Sequence, residues 1–112
     1  MTEVIPPAAG GRSVAAIWAE RTALTGKTVI VRGKVVKFLS GIMDRNWLHL
    51  QDGTGDLGDG TNDITVTTDA EAKPGDIVTA KGTLAVDKDF GAGYHYGAIV
   101  EDATISKEAG SP

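Results

Sequence analysis

The sequence contains no cysteine, which excludes a disulfide framework, a thiol nucleophile and a thiolate metal site. It has no apolar run near the roughly 20 residues that cross a bilayer, and residues 1–12 lack the apolar segment of a signal peptide. If the sequence is taken as given, the expected compartment is the cytoplasm. If a leader was removed, the expected compartment is the periplasm. For 112 residues we expect one domain over 13–106, with flexible segments at 1–12 and 107–112.

Sequence motifs for catalysis are missing as well. The glycine-rich stretch of residues 52–63 lacks the Lys-Ser/Thr pair of a phosphate-binding loop, and its acidic residues do not follow the spacing of a calcium loop. His49 and His95 do not have the spacing of a metal-binding histidine pair, and the serines have no base nearby in the sequence. We therefore expect a protein that is not an enzyme, with no cofactor and no metal, and an exposed loop over 52–63.

A surplus of positive charge is also lacking, because 11 lysines and arginines stand against 15 acidic residues, for a net charge of −4. Proteins that bind nucleic acid through phosphate contacts are usually basic, so the overall charge counts against that partner. The charge is uneven, however. Residues 26–51 are mostly basic and residues 52–76 mostly acidic, so one flank could bind an anion.

What the sequence does have is a pattern of β-strands, two of which share one feature. Residues 27–39 form a β-branched run interrupted by Gly33, and residues 77–90 form a similar run interrupted by Gly82. A glycine weakens a strand interior unless the strand must bend there. We therefore expect both strands to bend sharply at these glycines.

The second strand, over residues 46–52, shows the alternation of a half-buried strand. Leu48 and Leu50 point to one side and belong in a core, so Trp47, His49 and Gln51 point to the other. This pattern predicts an outer face that presents an indole, an imidazole and an amide to solvent. It is the best functional indication in the sequence.

The remaining segments complete the predicted architecture. Ser13 is a suitable N-cap for a helix that ends before Gly26 and uses Trp18 to fill the core. Further strands are predicted over 62–68 and 94–105. Five strands and an N-terminal α-helix predict an all-β fold, a five-stranded Greek-key OB-fold barrel.

Two runs of sequence, GKTVIVRGKVVK and NWLHLQDGTGD, resemble the OB-fold anticodon-binding domain of class II aminoacyl-tRNA synthetases. The chain is more similar still to a group of small bacterial stand-alone OB-fold proteins, generally described as candidate nucleic-acid-binding proteins. The resemblance covers about residues 13–106. It implies that an aromatic at the position of Trp47 can stack on a base, with Gln51 on the same face. It implies no aminoacylation, because the chain has no synthetase catalytic domain.

An OB-fold binds its ligands on the face of strands 2 and 3 and on the loops between strands 1–2 and 4–5, here residues 40–45 and 87–94. Aromatic rings interleaved with cations suit single-stranded nucleic acid, because bases stack on rings and cations follow phosphates. The candidate ligand-binding residues are Lys37, Arg45, Trp47, His49, Gln51, Thr65, Thr67, Lys88, Phe90, Tyr94 and Tyr96. Alternatively, the aromatic side chains pack on one another and the charged ones only solvate the rim.

Two functions of different classes remain open from the sequence. The first is a non-catalytic module that binds single-stranded DNA or RNA through this face. The second is a domain of an exported protein that binds a small ligand, an oligosaccharide or a protein, and it is favoured by the net negative charge. Salt dependence distinguishes them, because phosphate contacts weaken steeply as salt is added.

Overall fold

The computed structural model describes residues 3–91 and 93–108, and strands account for about half of them. No helix in these ranges is long and apolar enough to cross a bilayer. The elements in chain order are α1 (Val14–Ala19), α2 (Arg21–Leu24), β1 (Thr28–Ile42), β2 (Arg45–Gln51), a 3-10 turn (Leu57–Asp59), β3 (Ile64–Thr68), β4 (Ile77–Asp89) and β5 (His95–Lys107).

The five strands form one sheet that closes on itself in the order β1-β2-β3-β5-β4, with β4 paired again to β1. Every neighbouring pair is antiparallel except β3 with β5, which is parallel. The predicted all-β class and the five strands are thus confirmed. The single predicted helix is instead two short ones, because the backbone departs from helical geometry at Glu20 (φ −102°, ψ 10°).

β1 is the strand that changes its pairing partner along its length. β1 pairs with β4 over residues 28–34 and with β2 over residues 34–42, so it changes partner directly after Gly33. A Cβ atom at Gly33 would lie 3.0 Å from the carbonyl oxygen of Gln51, and one at Gly82 would lie 2.6 Å from that of Glu101. At Gly82 the neighbouring strand passes too closely for a side chain, and at Gly33 a side chain would require the neighbouring strand to shift by a few tenths of an ångström.

The inward-facing side chains of the strands fill the interior of the closed sheet. Leu48 and Leu50 are fully buried there, as the alternation predicts. Helix α1 contributes Val14 and Ile17 to the same core, and Trp18 packs against it. The predicted N-cap is confirmed, since the hydroxyl of Ser13 accepts a hydrogen bond from the backbone N–H of Ala16 at 3.1 Å.

The connection between β1 and β2 is shorter than the predicted loop over residues 40–45. The strands continue almost to their ends, and only Met43 and Asp44 form the turn, with φ angles of 53° and 62°. A two-residue turn with both φ angles positive matches the twist of the flanking strands. Asn46 supports it by accepting a hydrogen bond from the N–H of Gly41 at 3.1 Å.

The described residues near both chain ends form hydrogen bonds with the rest of the domain. The N–H of Ile5 donates to the carbonyl of Asp52 at 2.8 Å. The Arg32 guanidinium donates to the Pro6 carbonyl at 2.9 Å and to both carboxylate oxygens of Glu108 at 2.5 and 3.0 Å. β5 also runs to Lys107, past the expected end of the domain. Residues 1–2 and 109–112 of the expected flexible segments lie outside the described residues.

The loop over residues 52–63 is exposed at its tip but not at its start. Leu57 is 82% exposed, whereas Asp52 is fully buried. The Asp52 carboxylate accepts hydrogen bonds from the N–H of Val14 at 2.9 Å and of Thr54 at 3.0 Å. The expectation of an exposed loop is therefore wrong for Asp52, because this residue ties the loop to the start of α1.

Candidate functional site

The outer face of β2 carries the side chains that strand alternation assigns to it, but their exposure differs from the prediction. Trp47 and His49 lie opposite Thr67 and Thr65 of β3. His49 and Gln51 are half-buried, whereas Trp47 is only 3% exposed. The expectation of a solvent-exposed indole is therefore wrong, although the direction in which Trp47 points is as predicted.

Trp47 is covered by the distal end of the β4–β5 hairpin. Its ring centroid lies 5.3 Å from that of Phe90 and 5.7 Å from that of Tyr96, and these two rings are 6.0 Å apart. The indole N–H donates to the carbonyl of Ile42 at 2.8 Å. We call Trp47, Phe90 and Tyr96 the ring cluster. These three aromatic side chains pack on one another, which is the alternative to an open ligand-binding surface given in the sequence analysis.

Two cations lie against the outer ring of this cluster. The guanidinium carbon of Arg45 is 5.9 Å from the Phe90 ring centroid, and the ammonium nitrogen of Lys88 is 5.4 Å from it. Lys88 is also 3.4 Å from the carboxylate of Glu101. Tyr94, 39% exposed, follows on the same hairpin. The structure thus brings Arg45 and Lys88 together with three of the four predicted aromatic residues, Trp47, Phe90 and Tyr96.

Tyr96 keeps its hydroxyl proton at neutral pH. Burial raises the pKa of Tyr96 above its ordinary value, and the neighbouring Tyr94 raises it further. A phenol in this state is both a hydrogen-bond donor and an acceptor. Tyr96 can therefore offer a polar edge beside the apolar ring of Phe90.

A second group of side chains lies further along β2 and centres on Asp63, just before β3. One carboxylate oxygen of Asp63 is 2.8 Å from Nδ1 of His49, and the other accepts from the Gln51 amide at 2.9 Å. The backbone carbonyl of Asp63 accepts from the indole of Trp18 at 2.8 Å. We call His49, Gln51 and Asp63 the carboxylate cluster.

Asp63 is ionised at neutral pH. Burial acts to raise the pKa of Asp63, but the hydrogen bonds from His49 and Gln51, together with the charge of His49, outweigh burial and lower it. Sequence reasoning placed Asp63 where the acidic loop over 52–63 meets the predicted strand over 62–68, and gave it no role in the site. Its role depends on the pairing of Leu50 with Ile64, which places residue 63 beside the outer face of β2.

Two of the predicted site residues are buried. Thr65 is 5% exposed and Thr67 is fully buried. The hydroxyl of Thr67 accepts a hydrogen bond from the N–H of Asp102 at 3.1 Å. By contrast, Lys37 is exposed and lies across the β1–β2 ladder from His49, as a binding role would require.

Two surface pockets border this face. One of about 290 Å³ lies beside Gln51 and is lined by Thr54, Leu57 and Asn62. The other, of about 410 Å³, lies between Arg45 and the bulged part of β5 at Asp102. Within residues 3–91 and 93–108, no group of three or more histidine or acidic side chains could hold a metal ion. The absence of a metal stays a prediction.

Compared with known proteins, the chain matches no family model and no curated protein. The ring cluster, the carboxylate cluster and the cations around them are the features of this face that bear on function.

Proposed function

We propose that this protein is a non-catalytic OB-fold module that binds single-stranded nucleic acid on the outer face of β2 and the end of the β4–β5 hairpin. The closed strand order β1-β2-β3-β5-β4 supports the OB-fold assignment, since that fold is a five-stranded Greek-key barrel. In this fold the face of strands 2 and 3 is the usual site for oligonucleotides.

The observation that carries the proposal is the Phe90 ring with two cations beside it. Arg45 and Lys88 both lie within 6 Å of its centroid. The Trp47 ring packs against the Phe90 ring in a T-shaped arrangement. A half-buried ring flanked by positive charges provides a stacking surface and phosphate contacts together. We therefore assign base stacking to Phe90, Tyr94 and Tyr96 of the hairpin, with the indole as their support.

The positive side chains continue along the same face. Lys37 on β1 is exposed and extends the line of cations from the ring cluster toward His49. Glu101 offsets part of the charge of Lys88. Because the chain has a net charge of −4, it can bind a polyanion only where its cations are concentrated. We therefore expect binding that is weak and sensitive to salt.

The test is fluorescence anisotropy with a dye-labelled 12-nucleotide oligo(dT), titrated at several salt concentrations. The logarithm of the association constant should fall linearly with the logarithm of salt, and Lys37→Gln should reduce the slope by roughly 0.7, as expected for one phosphate contact on a single strand. Lys107→Gln, an exposed lysine at the far end of β5, is the matched control. Absence of binding, or equal effects of the two changes, would contradict the proposal.

The second candidate function is binding of a small ligand, an oligosaccharide or a protein by a domain of an exported protein. It is favoured by the ionised Asp63 on the same face and by the 290 Å³ pocket beside Gln51. Stacking on a sugar or a peptide does not release counterions, so binding of a neutral oligosaccharide would not depend on salt. A screen of neutral oligosaccharides at two salt concentrations tests this alternative directly.

A further inference from the structure

The carboxylate cluster places an imidazole on the proposed binding face, in contact with a carboxylate. The sequence has two histidines, and histidine is the residue that ordinarily titrates between pH 5 and 8. His49 lies on the outer face of β2 with its side chain 28% exposed. A ligand on this face would therefore meet both the imidazole and the carboxylate of Asp63 that contacts it.

The contact with Asp63 fixes the orientation of the imidazole. An ionised carboxylate only accepts hydrogen bonds, so Nδ1 of His49, at 2.8 Å, must carry the proton. The opposite nitrogen, Nε2, has no hydrogen-bond partner among the described residues. In the neutral ring Nε2 is an acceptor, and in the protonated ring it is a donor.

The charged groups around His49 come from the neighbouring elements. Asp63, before β3, supplies the negative charge, and Lys37 on β1, the cross-strand partner of His49, supplies a positive one. Gln51 on β2 and Thr65 on β3 are neutral. Trp18 of α1 acts only through the backbone carbonyl of Asp63.

We propose that His49 and Lys37 form a phosphate subsite that is complete only when His49 is protonated. This inference rests on the proposed function and names the ligand group that the site holds. With a neutral ring, the pair of His49 and Asp63 carries a charge of −1 and repels a phosphodiester. With a protonated ring, the pair is neutral and Nε2–H donates a charge-assisted hydrogen bond to a phosphate oxygen. Binding of the strand then takes up a proton.

The test is the affinity for oligo(dT) at pH 5.5 and pH 8.0, at constant ionic strength and with a dye whose emission is independent of pH. Thymine does not titrate in this range, so a change in affinity reports on the protein. Binding should be roughly tenfold tighter at pH 5.5, the size of one charge-assisted hydrogen bond. His49→Gln should remove the difference, and the matched control His95→Gln should keep it. Thermal melts establish that both variants are folded.

A second variant tests the charge argument separately. Asp63→Asn removes the repelling charge without requiring the imidazole to titrate, so it should tighten binding at pH 8.0. Binding that does not depend on pH, or a pH dependence that survives His49→Gln, overturns the subsite but leaves the proposed function intact. Tighter binding at pH 8.0 than at pH 5.5 also overturns it. If oligo(dT) does not bind at either pH, the proposed function itself is wrong.

Discussion

Trp47 is buried by residues that lie far away in the sequence, so we predict that its main role is structural. The hairpin rings cover its face, and the carbonyl of Ile42 holds its N–H. We predict that Trp47→Ala lowers the free energy of unfolding by about 3–5 kcal/mol, as for other buried aromatic side chains. Denaturant unfolding followed by circular dichroism measures this change.

The variant Trp47→Phe is the matched control. It keeps a ring between Phe90 and Tyr96 but removes the indole N–H, so it should cost about 0.5–1.5 kcal/mol, the net contribution of one hydrogen bond. If Trp47→Ala left the stability unchanged and removed only oligonucleotide binding, the indole would have to be a direct contact, and the structural role would be wrong.

Asp63 makes stability depend on pH in the acid range. Because its pKa is lowered in the folded state, its contribution is complete above the ordinary aspartate pKa of about 3.9 and is lost as pH falls through the lowered value. We predict that the free energy of unfolding falls less between pH 5 and pH 2 in Asp63→Asn than in the unchanged protein. Urea unfolding across this range tests the prediction, and parallel curves would contradict it.

At the scale of elements, β4 and β5 approach each other so closely at Gly82 that a methyl group does not fit. A Cβ there would lie 2.6 Å from the Glu101 carbonyl oxygen and 3.0 Å from the Cα of Ala103. Both are backbone atoms, so the strand must shift. We predict that Gly82→Ala destabilises the fold by about 1–3 kcal/mol, as overpacking does, measured as a shift in the denaturant midpoint.

Gly58→Ala provides the comparison for Gly82→Ala. Its new methyl group would meet only the carboxylate of Asp56, at 3.2 Å, on an exposed 3-10 turn. A flexible side chain can move by a few tenths of an ångström, so this change should cost much less. Equal losses at the two positions would show that the close approach at Gly82 does not limit stability.

Element prediction from the sequence succeeded where the signal is local. The alternation around Leu48 fixes which side of β2 faces the core, and Ser13 marks the start of α1. The β1–β2 turn was predicted too long because Met43-Asp44 lacks the Asn-Gly or Asp-Gly signal of two-residue hairpins. Its positive φ angles are imposed by the twist of the paired strands.

The candidate site was predicted less completely, because it depends on contacts across the whole sheet. No local pattern shows that Phe90 reaches Trp47, or that Asp63 reaches His49. The first contact requires the β4–β5 hairpin to fold over β2, and the second requires the register of β2 with β3. Sequence alternation predicts the direction of a side chain but not what lies above it.

At the scale of the whole molecule, ring closure joins strands that are distant in the sequence. Thr28 on β1 pairs with Thr83 on β4, and β3 pairs in parallel with β5. Such non-local pairing must overcome a large loop-closure entropy before contacts stabilise the chain. We predict folding on the millisecond-to-second timescale, measured by stopped-flow tryptophan fluorescence; microsecond folding would contradict this topology.

The guanidinium of Arg32 donates hydrogen bonds both to the carbonyl of Pro6 and to the carboxylate of Glu108. An early and a late part of the chain are therefore neighbours in space. The order in which the strands are synthesised can then be changed without changing the sheet. A short linker that joins these two regions, with new ends opened beside the exposed Leu57, would give a circularly permuted chain whose synthesis begins with β3. In that chain, Trp47 would be made after the aromatic residues that cover it.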